Sequence, residues 1–504
     1  MLADVLNKFD DFFWGIPLLS FVLFVGIYFI IGSKFFPVTY FNHIMKNTIG
    51  NMSESNTKDE SDPDNKKFTP FQTICIAIGG SMGVGNIGGV ATAIAVGGPG
   101  AVFWFMLESI LGSIIKIVET SLGCYNRSKN EKGEYYGGSV YYMEKGIGRE
   151  MGHEKLGKFL AAVFGIGFMV QFLGGSQVYT IAEVLNETFG IDMILVTIIY
   201  SLFVWSVIYK GVSGVADFAT KCVPLMCVLY TIGGIAIAVI NIKKFPYIIA
   251  LIFKDAFVPV AAVGGFAGAG VKVAVRNGVT RAINSNEAGQ GSSPLIHGSA
   301  DTIHPVRQGL WGSFEVFIDA FTCLITAIAI IATGAWTSGA AGGKLTILAF
   351  DNVFGGFGGI FIGIMCILFG IATTTGWFTY YVTIINYGLK NKPVLRDKMV
   401  KLFKFVFPIP NLIIVSAIQL TGNGAELFWT IVDLTLILPV TFNIIAIFVL
   451  RKKFWVLFKD YKARYLGIGK VDPNFYVFYE DDPEVAKTEE EIRRKIRLSS
   501  EAEM

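Results

Sequence analysis

Two glycine-rich interruptions hold the groups of this chain best placed to do chemistry. Gly79-Gly80-Ser81-Met82-Gly83-Val84-Gly85-Asn86 falls near the middle of an apolar stretch from about Pro70 to Gly97, and Gly264-Gly265-Phe266-Ala267-Gly268-Ala269-Gly270 breaks a second apolar stretch. In hydrocarbon every peptide N–H and C=O needs a partner, so a broken helix at that depth is tolerated only where it lines a protein-enclosed cavity. Uncoiling frees N–H groups at the start of one half-helix and carbonyls at the end of the other. The former suit a carboxylate and the latter a cation. A zwitterion such as an amino acid matches this polarity. Glycine-rich stretches also let helices approach closely, but two of them at corresponding places in two halves, with Asn86 inside one span, favour a binding site.

Side chains add to the picture. Trp377 follows Thr373 by one helical turn, so both can face one cavity. Gln177 lies inside an apolar span and must hydrogen-bond something, either a ligand or a neighbouring helix. Ionisable residues within spans are functional candidates by default, which brings in Glu108, Lys116, Glu119, Asp319, Glu426 and Asp433. Lys116 and Glu119, three apart near a helix end, are expected to pair or to snorkel. Glu108, Asp319 and Asp433 could belong to a polar network or a proton site. Asn286 and Glu287 are expected at the inner end of the second broken span, as part of an inner gate with Arg276 or Arg281. His297 and His304 flank the following loop without a partner cluster, so neither is read as a metal ligand. The six cysteines show no CxxC pair and are read as small buried apolar residues. No Ser/His, Cys/His or metal-ligand constellation appears within the spans, so the chain is not read as an enzyme, and nothing suggests a nucleic-acid partner.

The elements that position these residues follow from composition. With 504 residues, 53% hydrophobic and 16% charged, the chain is far more apolar than a soluble domain, whose charged share is about 25%. It reads as an all-α polytopic membrane protein embedded in a lipid bilayer. Apolar runs long enough to cross occur near 12–32, 70–97, 100–123, 158–183, 191–209, 218–240, 256–284, 308–334, 354–388, 403–421 and 424–450, eleven in all. The N-terminus lacks a charged region followed by a small-residue cleavage site, so the first run is expected to be retained as a span. Alternate loops differ in Lys and Arg content: one set carries Arg127, Lys129, Lys145 and Arg149, then Lys390, Lys392 and Arg396, while the richest of the other set holds only Lys243, Lys244 and Lys254. By the positive-inside rule the C-terminus is cytoplasmic and, with an odd span count, the N-terminus is outside. The polar segment 47–68 reads as a mobile cytoplasmic loop, and EVAKTEEEIRRKIRL in the tail reads as a short soluble helix. The division expected is an extra N-terminal span (1–45), a polar loop (46–69), two five-helix units (70–255 and 256–450) and a cytoplasmic tail (451–504).

Three blocks then carry a resemblance. GVGNIGGVATAIAVGGPGAVFW (83–104), NSNEAGQGSSP (284–294) and HPVRQG (304–309) resemble the signature blocks of the alanine or glycine:cation symporter family, within the amino acid-polyamine-organocation superfamily. They fall in order, and the likeness covers nearly the whole chain. It implies a LeuT-like 5+5 inverted-repeat core of about eleven transmembrane helices including one extra N-terminal helix, residence in the cell membrane, sodium coupling, and alanine or glycine as substrate. By this resemblance Gly83-Val84-Gly85-Asn86 is similar to the unwound first core helix, whose amides around Val84 and Gly85 receive the substrate carboxylate. Gln177 resembles the family's substrate-facing glutamine. Thr373-Thr374-Thr375-Gly376-Trp377 resembles a stretch where a threonine, here Thr373, and Trp377 border the pocket. Phe266, beside Gly265 in the second break, is placed to cap the substrate's side chain and limit it to a hydrogen or methyl. A coupling Na+ would take oxygens from Thr373 and Thr374 and from the carbonyls of Gly79 and Met82. The chain departs from the family at Val84 (usually Thr), Tyr179 (usually Asn) and Val382-Thr383 (usually Gly-Glu).

These readings converge on secondary active transport: sodium-coupled symport of a small neutral amino acid by alternating access. A proton-driven transporter of the same fold, with Glu108 or Asp319 titrating, and a passive channel are the rivals.

Overall fold

The computed structural model describes residues 13–14, 16–51, 68–130, 133–173, 176–257, 270–421, 425–472 and 475–479. Among these the chain is almost wholly helical. Helix α1 (Ile16–Gly32) precedes the broken span, made of α2 (Pro70–Ser81) and α3 (Val90–Gly97). Then come α4 (Ala101–Tyr125), α5 (Glu154–Val170), α6 (Ser176–Phe189), α7 (Met193–Ile208), α8 (Val212–Ile240) and α9 (Phe245–Phe257). The second half holds α10 (Val271–Asn286), α11 (Pro305–Ala332), α12 (Gly342–Phe354), α13 (Phe357–Gly388), α14 (Pro393–Val406), α15 (Ile409–Thr421), α16 (Ala425–Val449) and α17 (Arg451–Leu466). The segment Gly264 to Ala269, most of 47–68 and the EVAKTEEEIRRKIRL segment lie outside the described residues.

Helices fall on every one of the eleven apolar runs, but not as eleven continuous rods. Among the described residues five helices are long and apolar enough to cross a membrane, or seven if two bent pairs each count as one span. The run 158–183 divides into α5 and α6, separated by a 3-10 turn at Gln171–Leu173. A helix rises only about 1.5 Å per residue, so such breaks leave each piece short of a full crossing. The run 354–388, by contrast, is one unbroken 32-residue helix, α13. Helix α12 matches no predicted run; it packs against α13 and the broken span from the loop that precedes α13.

Lipid is as apolar as leucine, so helix association must come from close packing and interhelical hydrogen bonds. Helix α4 is the post around which α10 and α11 pack most extensively. Helices α2, α8 and α13 form a second packed group. Where α13 crosses α2 the backbones nearly touch: a Cβ at Gly376 would lie 2.9 Å from the Gly80 Cα. Helix α2 itself starts firmly. Thr69 Oγ1 accepts from the Gln72 N–H (3.1 Å), the Gln72 side chain accepts from the Thr69 N–H (2.9 Å), and Pro70 fills the first turn. Such a capping box contributes about 1 kcal/mol.

The end of the bundle that carries the basic loops has its own small layer. Ser128–Lys129 and Tyr135–Tyr136 pair antiparallel, with Ser128 opposite Tyr136. Arg127 is sandwiched between the rings of Tyr135 (3.9 Å) and Phe478 (3.8 Å) and donates to the Ala300 carbonyl. Helix α17 docks there on α11: His304 caps α11 by accepting the Val306 N–H at Nδ1 (3.1 Å), which leaves Nε2 to face Asp460 Oδ2 at 3.2 Å. Arg464 donates to the same oxygen (2.7 Å).

Candidate functional site

The broken span supplies the backbone of the site. Helix α2 ends at Ser81, the next helical residues are a π-turn at Gly85–Gly89, and the two pieces bend by 46°. Only Met82, Gly83 and Val84 are uncoiled. Side chains from two other helices meet several of the freed groups. The Val84 N–H donates to Gln177 Oε1 on α6 (3.1 Å). Thr373 on α13 donates to the Met82 carbonyl (3.1 Å). Trp377, one turn further on, donates to the Gly80 carbonyl (3.1 Å). Among the described residues the N–H groups of Gly83 and Gly85 have no hydrogen-bond partner. Unpaired peptide donors without water are costly, and both glycines line a cavity of about 520 Å³. Free amides at a helix start, where they point into such a cavity, can receive a carboxylate.

The cavity brings together most of the residues expected at the site. Val84, Gly85, Gln177, Thr373, Thr374 and Trp377 all line it. Gly265 and Phe266 lie outside the described residues. Asn86 does not line the cavity: its side chain is fully buried and turned away, donating to Asp319 Oδ1 at 2.6 Å. The π-turn sets this direction, since it carries Asn86 around to the side facing α11. The four oxygens suggested for sodium are only partly gathered. Met82 O and Thr373 Oγ1 are adjacent, whereas the Thr374 hydroxyl is held by Tyr200 (2.6 Å) and Gly79 packs between Val223 and Ala372.

The structure adds Glu287 to the site. It succeeds α10 in a left-handed conformation (φ 55°), unusual for a residue with a Cβ. Its carboxylate lines the cavity and accepts from Trp377 Nε1 (2.9 Å) and from Ser292. The expected gate pairing with Arg281 is not formed: Arg281 reaches Asp433 instead (3.5 Å). Asn286 pairs with Glu108 (2.8 Å). Nothing in the bare sequence signals that Glu287 meets a tryptophan ninety positions away. Its place is set by the turn that ends α10.

Behind Glu287 stands Lys116. Its ammonium is fully buried, 3.4 Å from Glu119 and 3.6 Å from Glu315, and donates to Ser293 Oγ (2.6 Å) and the Glu287 carbonyl (3.2 Å). It therefore pairs rather than snorkels. His297 sits between Glu315 (3.3 Å) and Gln308 (2.8 Å), and Gln308 reaches Thr73 on α2 (3.1 Å). Helix α2 is thus held to this network at both ends, through Thr73 and through the Gly80 carbonyl.

Residues 1–474 match the family model described as the sodium:alanine symporter family. The chain belongs to the sodium:alanine symporter family. Members similar to it include the "Probable sodium/glutamine symporter GlnT" of Bacillus subtilis, 34% identical over 94% of each chain. The sodium/alanine symporter AgcS of Methanococcus maripaludis is 29% identical over 86% of this chain and 91% of its own. Among solved structures, a substrate-bound, outward-open Na+-coupled sialic acid symporter aligns over 91% of this chain and 92% of that one, with a TM-score of 0.52 at 14% identity. That likeness concerns the fold, a helical membrane-transporter architecture. Membership of the sodium:alanine symporter family, together with the apolar helices, makes the chain an integral membrane protein.

Proposed function

We propose that the chain couples inward movement of Na+ to uptake of a small neutral amino acid, alanine or glycine, by alternating access, with its C-terminus cytoplasmic and its N-terminus outside. The observation that carries this reading is the uncoiled Met82–Val84 segment, where Gly83 and Gly85, whose amides have no hydrogen-bond partner among the described residues, line the cavity beside Thr373 and Trp377. In this reading the amides receive the carboxylate, and the Gly80 carbonyl and Glu287 stand where an ammonium group needs acceptors. Na+ replaces the proton-bridged contact between Thr373 Oγ1 and Met82 O, a carbonyl already released from helical bonding. Residues 70–255 and 256–450 act as two five-helix repeats, which is supported by each supplying half of the site: α2 and α6 from the first, α10 and α13 from the second.

Ion and substrate share the uncoiled turn, so each must tighten the other by the same factor; couplings of about 1–3 kcal/mol are typical. The described walls enclose more room than a methyl group needs, and the family includes a relative named for glutamine. The test therefore compares labelled alanine, glycine and glutamine in proteoliposomes of the full chain, with and without an inward Na+ gradient. Uptake of alanine or glycine driven by sodium supports the proposal. Uptake that tracks a pH gradient and ignores sodium overturns it.

A further inference from the structure

Glu287 reaches the cavity on a loop, not on a helix. Helix α10 ends at Asn286, and a single helical turn resumes at Pro294–His297. Between them residues 287–293 leave the helix, with Glu287 (φ 55°), Gly289 (φ 85°) and Gly291 (φ 75°) all left-handed. Irregular backbone at membrane depth persists only where protein groups meet its peptide groups. A side chain on such a segment is therefore placed only as firmly as those partners hold it.

One ammonium holds both ends of this loop. Lys116 Nζ donates to the carbonyl of Glu287, its first residue, at 3.2 Å, and to Oγ of Ser293, its last, at 2.6 Å. The middle is tied to the same centre. The Gly289 carbonyl accepts from Asn443 Nδ2 (2.8 Å), which also donates to Glu119 Oε2 (2.8 Å), and Glu119 is an ion-pair partner of Lys116 (3.4 Å). An ammonium has three hydrogens. Two are spent on the loop, which leaves one for Glu119 and Glu315.

Packing does not account for a lysine here. Lys116 is 0% exposed, and taking an ammonium out of water costs several kcal/mol, which good pairing only balances. An apolar side chain of similar volume would serve the contact between α4 and α11 as well. It could not donate to two points of one loop at once. Lys116 does not line the cavity, whereas Glu287 does, so its effect on the site passes through Glu287.

We propose that Lys116 is a positioning residue for the substrate: by fixing both ends of loop 287–293 it holds the Glu287 carboxylate against Trp377, where the substrate ammonium is received. The inference rests on the symport reading, in which Glu287 is an acceptor for that ammonium.

The experiment measures equilibrium binding of labelled alanine to the purified full chain at saturating sodium, in a double-mutant cycle of Lys116→Met and Glu287→Gln. Each single variant should weaken alanine about tenfold, and the double variant should also weaken it about tenfold, because the second change removes nothing further. A double variant weakened about a hundredfold overturns the proposal, since Lys116 would then act independently of Glu287. Ser293→Ala removes one of the two loop bonds while leaving Lys116 paired with both carboxylates, so it decides the matter if Lys116→Met fails to fold. It should weaken alanine about threefold alone and not at all on top of Glu287→Gln; unchanged affinity in the single variant overturns the proposal. A defect in Glu287→Gln with none in folded Lys116→Met overturns it too, and leaves the ammonium assignment standing. Wild-type affinity in Glu287→Gln would defeat that assignment and the role of Lys116 together. Alanine binding by the wild type that ignores sodium would instead defeat the symport reading itself.

Discussion

Thr373, Gln177 and Trp377 line one cavity, as their sequence context led one to expect: Thr373 and Trp377 stand one helical turn apart in a stretch resembling the family's, and Gln177 is a polar group in an apolar run that must find a partner. The partner of each was not legible. Gln177 takes the Val84 amide, and Trp377 divides its N–H between Gly80 and Glu287. Asn86 stands in the same run as the amides yet serves the other side of the turn, because a π-turn adds a residue and rotates the rest of the helix. Under the proposed symport, removing the Thr373 hydroxyl would strip one oxygen from the ion and leave the Met82 carbonyl unmet. Thr373→Ala should raise the half-saturating sodium concentration roughly tenfold, about 1.4 kcal/mol, and should weaken alanine binding in parallel, both read from initial uptake rates. Trp377→Phe keeps the ring that stacks on Phe168 at 5.2 Å but removes the donor. Each orphaned acceptor costs about 1–3 kcal/mol, so the purified variant should lose thermal stability while retaining its fold by circular dichroism.

At the scale of elements, the break was the clearest signal in the sequence, and its extent was the least clear. Eight residues from Gly79 to Asn86 mark the region, but only Met82 to Val84 fall between the helical segments; Gly79 and Gly80 remain in α2, where small size serves the crossing with α13. Gly83 has a demand set by the site itself. A Cβ there would fall 2.7 Å from both Gln177 Oε1 and Thr373 Oγ1. Gly83→Ala should therefore abolish uptake while leaving the protein inserted and folded, with uptake partly restored when Gln177 is shortened to Asn. A second variant that stays inactive in spite of that change would place the fault elsewhere. The division of run 158–183 into α5 and α6 was hidden because hydropathy reports burial in lipid, not continuity of the hydrogen-bond ladder.

For the molecule as a whole, apolar periodicity and basic loops disclosed a helical membrane protein, whereas the docking of the tail on α11 depends on contacts between residues 156 positions apart. Burial pushes His304 below its ordinary value of 6.5, with Asp460 acting in the opposite sense. Burial would raise Asp460, but His304 and Arg464 together hold it below its ordinary 3.8. A histidine kept neutral by docking binds its proton more readily when undocked, so docking weakens as pH falls from about 6.5. The Asp460 contribution persists above 3.8 and disappears below it. Protection of the α17 amides, taken relative to the intrinsic exchange rate at each pH, should fall between pH 7 and pH 5.5, and His304→Gln should remove most of that dependence. Protection that is flat with pH in the wild type would show that the histidine does not govern the tail.

The indole of Trp377 carries one hydrogen and aims it at two acceptors on different bodies, the end of α2 and the loop after α10. A single hydrogen cannot bond both at full strength. Should α2 tilt away during the transport cycle, that hydrogen passes wholly to Glu287 and the Gly80 oxygen is released. The tryptophan then works as a toggle whose setting records which of its two neighbours has moved.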